Sequence, residues 1–366
     1  MTGGSQAGRG TSESGGPASG STPGVASLSP PERIAELVAE LLDLSGAERN
    51  RDLLREIVAT GLGLAQIDAS RLDLKIAASA LAEMGRAFGL FAPFRGVRKL
   101  TMFGSARTAM SDPLYAQAHA LAARIAEVGW MVVTGAGPGI MAAGTEGAGP
   151  DMALGVEIRL PFETASHPQL AAEGRLVEMK YFFTRKVMLM KESAGFAVLP
   201  GGFGTLDETF ELLTLLQTGK AEPAPIVLLD LPGDPYWEGW EHFVESDVLR
   251  RKLTDPEDRA LYRITDDIEV AVAEVTGFYR NYHSRRFVGP TMLIRCHTAP
   301  SDPELEALNR EFADLCSPKG IWRTKPMPPE RADHDHVELA RLALEFDRRS
   351  HGRLRTLIDA LNRCEG

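Results

Sequence analysis

The stretch that decides the fold lies at residues 196–208 and reads FAVLPGGFGTLDE. Apolar residues at 196–199 predict a short buried strand, and a glycine-rich turn follows them directly. The residues after the turn have the apolar spacing of a helix, which we predict at 205–218. A strand, a tight turn and a helix in this order are typical of a βαβ unit in a parallel sheet.

The same rhythm recurs through the middle of the chain. Its apolar runs are mostly continuous rather than alternating, which predicts strands that are covered by helices on both faces. The predicted strands are 98–103, 130–134, 153–157, 196–199, 226–230 and 261–264, and the predicted helices are 115–128, 139–147, 182–193, 205–218 and 268–282. The predicted fold class is therefore α/β, with a Rossmann-like doubly wound parallel sheet.

The segments on either side of this region differ in composition. Gly, Ser, Thr, Pro and Ala dominate the first thirty residues, which predicts a disordered tail. Apolar residues then recur at helical spacing and predict three helices, the second of which ends near Gly61 and Gly63. The predicted organisation is a tail, a helical extension, a Rossmann-like nucleotide-binding domain and a small α/β C-terminal domain, at residues 1–30, 31–96, 97–285 and 286–366.

Composition excludes several classes of protein. The chain has 366 residues and a formal net charge of -10, which disfavours binding of nucleic acid over the whole surface. No apolar run approaches the ~20 residues of a membrane-spanning helix. The three cysteines lie far apart without a CxxC motif, so a disulfide scaffold or zinc site is disfavoured. We therefore expect a cytoplasmic protein without a nucleic-acid or membrane partner.

Three glycine-rich turns follow predicted strands, at residues 103–107, 134–141 and 199–208. Glycines let a phosphate approach the backbone, and the helix that follows offers unpaired N–H groups and a positive dipole end. In the common doubly wound strand order, the loops after the first and fourth predicted strands flank the ligand crevice. We therefore expect Gly104 and Ser105 to meet the turn at 200–205 in one anion site.

A dinucleotide site is the main rival interpretation. Residues 135–137 begin a GxGxxG pattern, and Glu157 lies about twenty residues further on, where an acid would bind ribose. However, the third glycine of the pattern falls at Ile140, and the turn follows the second strand rather than the first. The Walker pattern of ATPases is also absent, so the sequence favours neither an NAD-dependent enzyme nor an ATPase.

Two charged residues flank the fourth predicted strand. Arg185 lies in the helix before it, and its planar guanidinium suits either a phosphate or a carboxylate. Glu208 lies in the helix after it and has two readings. It can close a capping box with Thr205, or it can hold ribose hydroxyls, activate water or stabilise an oxocarbenium ion. The histidine-rich run at 334–336 lacks a third ligand at helical spacing and predicts a solvated loop rather than a metal site.

The motif at 200–208, PGGFGTLDE, together with Arg185 and Lys186, resembles the PGGxGTxxE signature and RK pair of the LONELY GUY family. That family comprises cytokinin riboside 5′-monophosphate phosphoribohydrolases, many of which were once misannotated as lysine decarboxylases. Where the plant-type motif reads MHxRK, residues 182–186 read FFTRK. This difference and the extra chain at both ends resemble the longer bacterial branch, in which the base is adenine or another purine or pyrimidine as readily as a cytokinin.

The resemblance implies a homodimer or higher homo-oligomer that hydrolyses the N-glycosidic bond of a nucleoside 5′-monophosphate to free base and ribose 5-phosphate. It implies no metal or redox cofactor. The implied catalytic residues are Arg185 and Glu208; the phosphate-binding residues are Gly201, Gly202, Gly204 and Thr205, joined by Gly104 and Ser105; and Gly137 and Lys186 are further substrate contacts. A non-catalytic nucleotide sensor or carrier of the same fold is the alternative.

Overall fold

The computed structural model describes residues 30–159 and 167–366. Apart from Pro30, the predicted tail at 1–30 lies outside the described residues. The chain divides into two compact units, Met1–Ile76 and Ala77–Gly366. Within the described ranges, no helix combines the length and apolar character needed to cross a membrane.

Three helices begin the described chain: α1 Pro30–Leu44, α2 Arg51–Gln66 and α3 Arg71–Phe91. Helix α3 begins in the first unit and continues into the second. The prediction that the second helix ends near Gly61 and Gly63 is wrong, because α2 runs through both glycines. A glycine inside a helix costs about 1 kcal/mol relative to alanine, which weakens a helix without ending it.

The second unit contains the remaining helices and all of the described strands. The helices are α4 Pro113–Glu127, α5 Ile140–Ala148, α6 Pro168–Ala172, α7 Phe182–Lys191, α8 Phe203–Gln217, α9 Tyr236–Phe243, α10 Ile268–Gly277, α11 Asp302–Glu311, α12 Pro328–Ala332 and α13 His351–Leu361. A π-helix follows α9 at Val244–Leu249, and short 3-10 helices lie at Ala92–Phe94, Pro256–Leu261 and Ala313–Leu315.

The strands are β1 Lys99–Phe103, β2 Met131–Thr134, β3 Ala153–Ile158, β4 Leu176–Met179, β5 Gly195–Val198, β6 Ile226–Leu229, β7 Arg263–Thr265, β8 Tyr282–Val288, β9 Thr291–Cys296, β10 Cys316–Arg323 and β11 Ala340–Phe346. The first seven form one parallel sheet in the order β4-β3-β2-β1-β5-β6-β7. The predicted α/β doubly wound fold is confirmed.

The order of the strands reverses at the centre of this sheet, where β1 pairs with β5 and Phe103 lies opposite Val198. A ligand crevice is expected at such a reversal, beyond the carboxyl ends of the strands. Strand β4 was missed by the sequence prediction. It is a four-residue edge strand of alternating burial, and so short a run carries little periodic signal.

A second, antiparallel sheet has the order β10-β11-β9-β8. The prediction of a helix over 268–282 is wrong at its end, because α10 stops at Gly277 and β8 begins at Tyr282. Strand β8 is rich in polar residues and only partly buried, so apolar periodicity does not reveal it. The predicted boundary between 285 and 286 falls inside β8. The division into four segments stays a prediction.

The second sheet forms hydrogen bonds with the residues that directly follow α8. The buried Arg285 of β8 donates hydrogen bonds to the carbonyl oxygens of Ala221, at 2.8 Å, and Gly219, at 3.3 Å. Gly219 has a φ of +67°, and a Cβ added there would lie 2.3 Å from the imidazole of His351 on α13. The helix that carries Glu208 is thus fixed at its far end by the second sheet and its helix.

Candidate active site

The glycine-rich turns after β1, β2 and β5 lie against one another at the carboxyl ends of their strands. Ser105 N–H donates a 3.2 Å hydrogen bond to the carbonyl oxygen of Pro200, and Ile140 N–H donates a 3.0 Å bond to that of Ser105. Gly139 has a φ of +67°, and a Cβ there would lie only 2.3 Å from the Ser105 carbonyl oxygen. Glycine is therefore required where the second turn crosses the first.

The signature turn opens helix α8. Gly202 is the N-cap residue and Phe203 the first residue of the helix, whose first turn leaves backbone N–H groups without partners inside the helix. A Cβ at Gly201 would lie 2.2 Å from Oγ1 of Thr205, so the threonine side chain covers the Gly201 backbone. At Gly202 and Gly204 an added Cβ would meet no described atom within 4 Å. Open space therefore adjoins the backbone at these two glycines on the side where a side chain would stand.

Two more of the predicted ligand-binding glycines are held against helix α5. A Cβ at Gly104 would lie 2.6 Å from Ile140, and a Cβ at Gly137 would lie 2.7 Å from Met141 Cε. Close packing on α5 therefore explains the glycine at 104, whereas the end of the flexible Met141 side chain can move away from a Cβ at 137. Their predicted contacts with a substrate stay a prediction.

The two predicted catalytic residues form a buried ion pair. Nη2 of Arg185, on α7, donates a 2.6 Å hydrogen bond to Oε1 of Glu208, on α8, and the side chains are only 11% and 9% exposed. The guanidinium carbon of Arg185 also lies 5.2 Å from the ring centre of Phe182. A Cβ added at Gly135 would lie 3.4 Å from Nη1 of Arg185, so the pair adjoins the turn after β2. Nε of Arg185 is buried without a hydrogen-bond partner among the described residues.

The environment of Glu208 shifts its acidity. Burial raises the pKa of its carboxyl group above the ordinary value, and the neighbouring Arg185 counteracts only part of this increase. The capping-box alternative is wrong, because Gly202 caps α8 and Thr205 lies inside the helix. The carboxylate of Glu208 binds Arg185 instead. A buried carboxyl group with a raised pKa, placed beside glycine-rich turns, is typical of a catalytic acid or base.

Lys186 follows Arg185 on α7, but it pairs with two other acidic residues of α8, Asp207 and Glu211. Its Nζ lies 2.6 Å from Oε2 of Glu211 and 3.1 Å from Oδ2 of Asp207. Burial lowers the pKa of Lys186, but the two carboxylates outweigh this effect and raise it. The predicted contact between Lys186 and a substrate stays a prediction.

A buried carboxylate from α3 fixes the start of α7, and sequence analysis missed it. Glu83 is 3% exposed, and its Oε2 accepts a 2.7 Å hydrogen bond from Oγ1 of Thr184 and a longer one of 3.4 Å from Tyr181 N–H. Thr184 directly precedes Arg185 on α7, and Tyr181 is the N-cap residue of that helix. The available signal was the helical register, since Glu83 is three residues after Ala80 and four before Ala87, both buried.

A tyrosine from α9 fixes the signature turn and was also missed. The hydroxyl of Tyr236 donates a 2.6 Å hydrogen bond to the carbonyl oxygen of Gly201. Helix α9 is itself held by Asp230, whose carboxylate accepts a 3.1 Å bond from Trp237 N–H. The aromatic run at 236–240 matches no motif, so the sequence alone did not distinguish this tyrosine from its neighbours.

The histidine-rich run at 334–336 differs from its prediction. His334 and His336 are exposed, as in a solvated loop, but Asp335 is an ion-pair residue. Its Oδ2 accepts hydrogen bonds from Arg286, at 2.6 Å, and Arg295, at 2.5 Å. The loop is therefore tied to the second sheet, far in sequence from the residues of the candidate site.

Comparison with known proteins bears on the central segment. A family model described as "Possible lysine decarboxylase" matches residues 136–275. The "Probable cytokinin riboside 5'-monophosphate phosphoribohydrolase LOG6" of Arabidopsis thaliana is 35% identical over 75 residues, which cover 20% of this chain and 36% of the relative. The "Bifunctional cytokinin biosynthesis protein" of Fusarium pseudograminearum is 28% identical over 129 residues, which cover 34% of this chain and 26% of that relative.

The chain thus matches only about a third of the length of these curated relatives or less. Among solved structures, the molybdenum cofactor carrier protein of Chlamydomonas reinhardtii is 21% identical, with a TM-score of 0.36 over 49% of this chain and 96% of that chain. The matched family model, the two named relatives and the signature at 200–208 all point to similarity with the same family. In this central segment, the chain is therefore similar to the LONELY GUY family.

Proposed function

We propose that the protein hydrolyses the N-glycosidic bond of a nucleoside 5′-monophosphate, releasing the free base and ribose 5-phosphate. The observation that carries the proposal is the buried pair of Arg185 and Glu208 beside three glycine-rich turns. The name of the Arabidopsis relative, a probable phosphoribohydrolase, supports the same class of reaction. We further propose that the protein acts in the cytoplasm as a homo-oligomer and does not bind nucleic acid.

The 5′-phosphate is proposed to bind at the start of α8. The backbone at Gly202 and Gly204 adjoins open space, and the unpaired N–H groups and positive dipole end of a helix start favour an anion there. Gly104 and Ser105 close the other side of this site, because the Ser105 N–H is bonded to Pro200 at the entrance of the signature turn. A phosphate anchored here supplies binding energy that positions the sugar for reaction.

Glu208 is proposed to act at the anomeric carbon. As the bond from C1′ to the base nitrogen breaks, its electron pair leaves with the base and positive charge develops on the ribose. The Glu208 carboxylate stabilises that charge and accepts a proton from the water whose oxygen attacks C1′. The departing base nitrogen takes up a proton from solvent, and Glu208 later releases to solvent the proton that it took from the attacking water. Because burial raises the pKa of Glu208, this carboxylate is a stronger base than an exposed one.

Arg185 is proposed to orient the carboxylate and to contact the substrate. One guanidinium nitrogen holds Glu208, while the buried Nε has no partner among the described residues. A substrate oxygen at Nε would satisfy this donor. An exposed aromatic ring, that of Phe182, adjoins the pair, and two more exposed rings lie on the same two helices, Phe183 on α7 and the 94% exposed Phe203 at the start of α8. Such rings suit stacking against a planar base, so we propose AMP and related purine nucleotides, including cytokinin riboside monophosphates, as the substrate class.

The test is a panel of AMP, GMP and CMP, with free base separated by chromatography and ribose 5-phosphate quantified as the second product. We expect equal amounts of the two products from at least one nucleotide. Binding without product across the panel would contradict hydrolysis and favour the non-catalytic sensor or carrier. Absence of both binding and product would contradict a nucleotide site altogether.

A further inference from the structure

A cavity of about 190 Å³ lies on the opposite side of α8 from Glu208. It is enclosed by α8, α9, the π-helix and the 3-10 helix at Pro256–Leu261, with the segment between the last two. Its lining positions on α8 lie ~140° to ~240° around the helix axis from Glu208. They are Phe210, Leu213, Thr214 and Gln217. The cavity is therefore separate from the candidate active site.

The walls of this cavity are mainly aromatic and aliphatic. The rings of Phe210 and Trp240 lie 4.9 Å apart, and those of Trp240 and Tyr262 lie 6.3 Å apart in an edge-to-face arrangement. Val244 and Val248 line the cavity from one turn of the π-helix. Such π turns are rare and occur frequently at functional sites. The shape and surface suit a planar apolar ligand.

Several polar groups of the lining are already paired with one another or with neighbouring residues. Nε2 of Gln217 donates hydrogen bonds to Thr254, at 2.7 Å, and Asp258, at 2.6 Å, and the Tyr262 hydroxyl donates to Glu241 at 2.7 Å. Among the described side chains of this lining, the one buried polar atom without a hydrogen-bond partner is Nε1 of Trp240. Among the buried polar atoms of the lining, the cavity thus offers a single unpaired hydrogen-bond donor.

We propose that this cavity is a binding site for an uncharged aromatic molecule that carries one hydrogen-bond acceptor for Nε1 of Trp240. A cavity of about 150 Å³ is known to bind benzene, so a volume of about 190 Å³ accommodates one substituted ring. Phe210, Phe243 and Leu253 are exposed large apolar residues of the lining and mark the entrance. The site is distinct in position and in ligand chemistry from the proposed nucleotide site.

Two matched probes test the proposal on the full chain: acetophenone, which has a carbonyl acceptor, and isopropylbenzene, which has the same number of non-hydrogen atoms and no acceptor. We expect both to bind, acetophenone about three- to tenfold more tightly, as one hydrogen bond implies. Trp240→Phe should keep the binding of both and remove the preference. Val248→Trp should fill the cavity and abolish both, whereas Val128→Trp, at an exposed position elsewhere, should change neither.

Binding is measured by ligand-observed NMR and titration calorimetry, and the folding of each variant is checked by circular dichroism. Failure of the wild-type chain to bind either probe would overturn the proposal. Unchanged acetophenone binding in a folded Val248→Trp variant would place the probe elsewhere and also overturn it. If Val248→Trp does not fold, the Trp240→Phe variant tests the proposal. A preference for acetophenone that survives this change would show that Nε1 of Trp240 is not the donor and would overturn the proposal.

Discussion

Nη2 of Arg185 lies 2.6 Å from Oε1 of Glu208, and both side chains are buried between helices α7 and α8. The two residues are separated by 23 positions in the chain and meet because their helices flank the central strand β5. An arginine that holds a buried carboxylate in place fixes its direction as well as its charge. This contact makes Glu208 the first residue to test.

Glu208→Gln should lower the turnover of the nucleotide substrate by about 10²- to 10⁴-fold, the usual contribution of a positioned acid or base. Nucleotide affinity should change little, because the proposed phosphate contacts are backbone N–H groups. Asp207→Asn is the matched control, since Asp207 is the adjacent acid and is exposed to solvent. Release of ribose 5-phosphate and calorimetric binding measure the two properties. A Glu208→Gln variant with near wild-type turnover would remove this residue from the mechanism.

The pH dependence of activity should report the burial of Glu208. The reactive form is the carboxylate, so kcat/KM should fall as the pH drops through the Glu208 pKa, which burial raises above 4.5. Arg185 counteracts this increase, so Arg185→Met should move the fall in activity to higher pH. The carboxyl carbon of Glu208 can also be titrated by NMR in both proteins. A midpoint that is unchanged or lower in Arg185→Met would contradict the electrostatic coupling.

Glu83→Ala should destabilise the protein by about 1–3 kcal/mol, because it removes the acceptor of the Tyr181 N–H and one of the two acceptors of the Thr184 hydroxyl, which also contacts the Tyr181 carbonyl oxygen at 2.8 Å. Glu83→Gln is the conservative partner, since its amide oxygen still accepts from Thr184. It should lose clearly less stability. Urea denaturation compares the two variants with the wild-type chain. Equal losses of stability in both variants would show that the negative charge of Glu83, rather than its hydrogen bonds, stabilises the protein.

The elements around β5 could be predicted because the signals for them lie within a short stretch of sequence. The apolar run, the glycines of the turn and the periodic helix that follows all agree, and the resulting position of Glu208 was predicted correctly. Glu83 and Tyr236 could not be found in this way, because each acts through one contact with a residue far along the chain. Helix α8 starts at Phe203, two residues earlier than expected. This start likewise depends on how the turn packs rather than on its residue types.

Tyr236→Phe removes the hydroxyl that holds the Gly201 carbonyl oxygen and so loosens the signature turn. We expect KM for the nucleotide to rise about three- to tenfold, in keeping with the loss of one hydrogen bond, with little change in kcat. Tyr262→Phe is the control, since that hydroxyl donates to Glu241 and does not contact the turn. Steady-state kinetics on both variants measures the difference. A main effect on kcat would instead place Tyr236 in the chemical step.

Gly219→Ala should destabilise the protein more than the same change at Gly233. Both glycines have positive φ values, +67° and +78°, so each substitution carries a backbone cost of about 1–2 kcal/mol. At Gly219 the new Cβ would also lie 2.3 Å from His351, whereas at Gly233 it would meet no described atom within 4 Å. We expect an additional loss of about 1–3 kcal/mol at Gly219, measured by urea denaturation. Equal losses at both positions would show that His351 moves aside freely.

The contact of Glu83 with Thr184 has a practical consequence for anyone who shortens this protein. The first strand of the parallel sheet begins at Lys99, and a fragment cut just before it would look complete by sequence motifs. Such a fragment would lack the Glu83 carboxylate, which accepts a hydrogen bond from Thr184 on the helix that carries Arg185. The smallest useful expression fragment therefore starts upstream of Glu83, near Ala77, where the second compact unit begins.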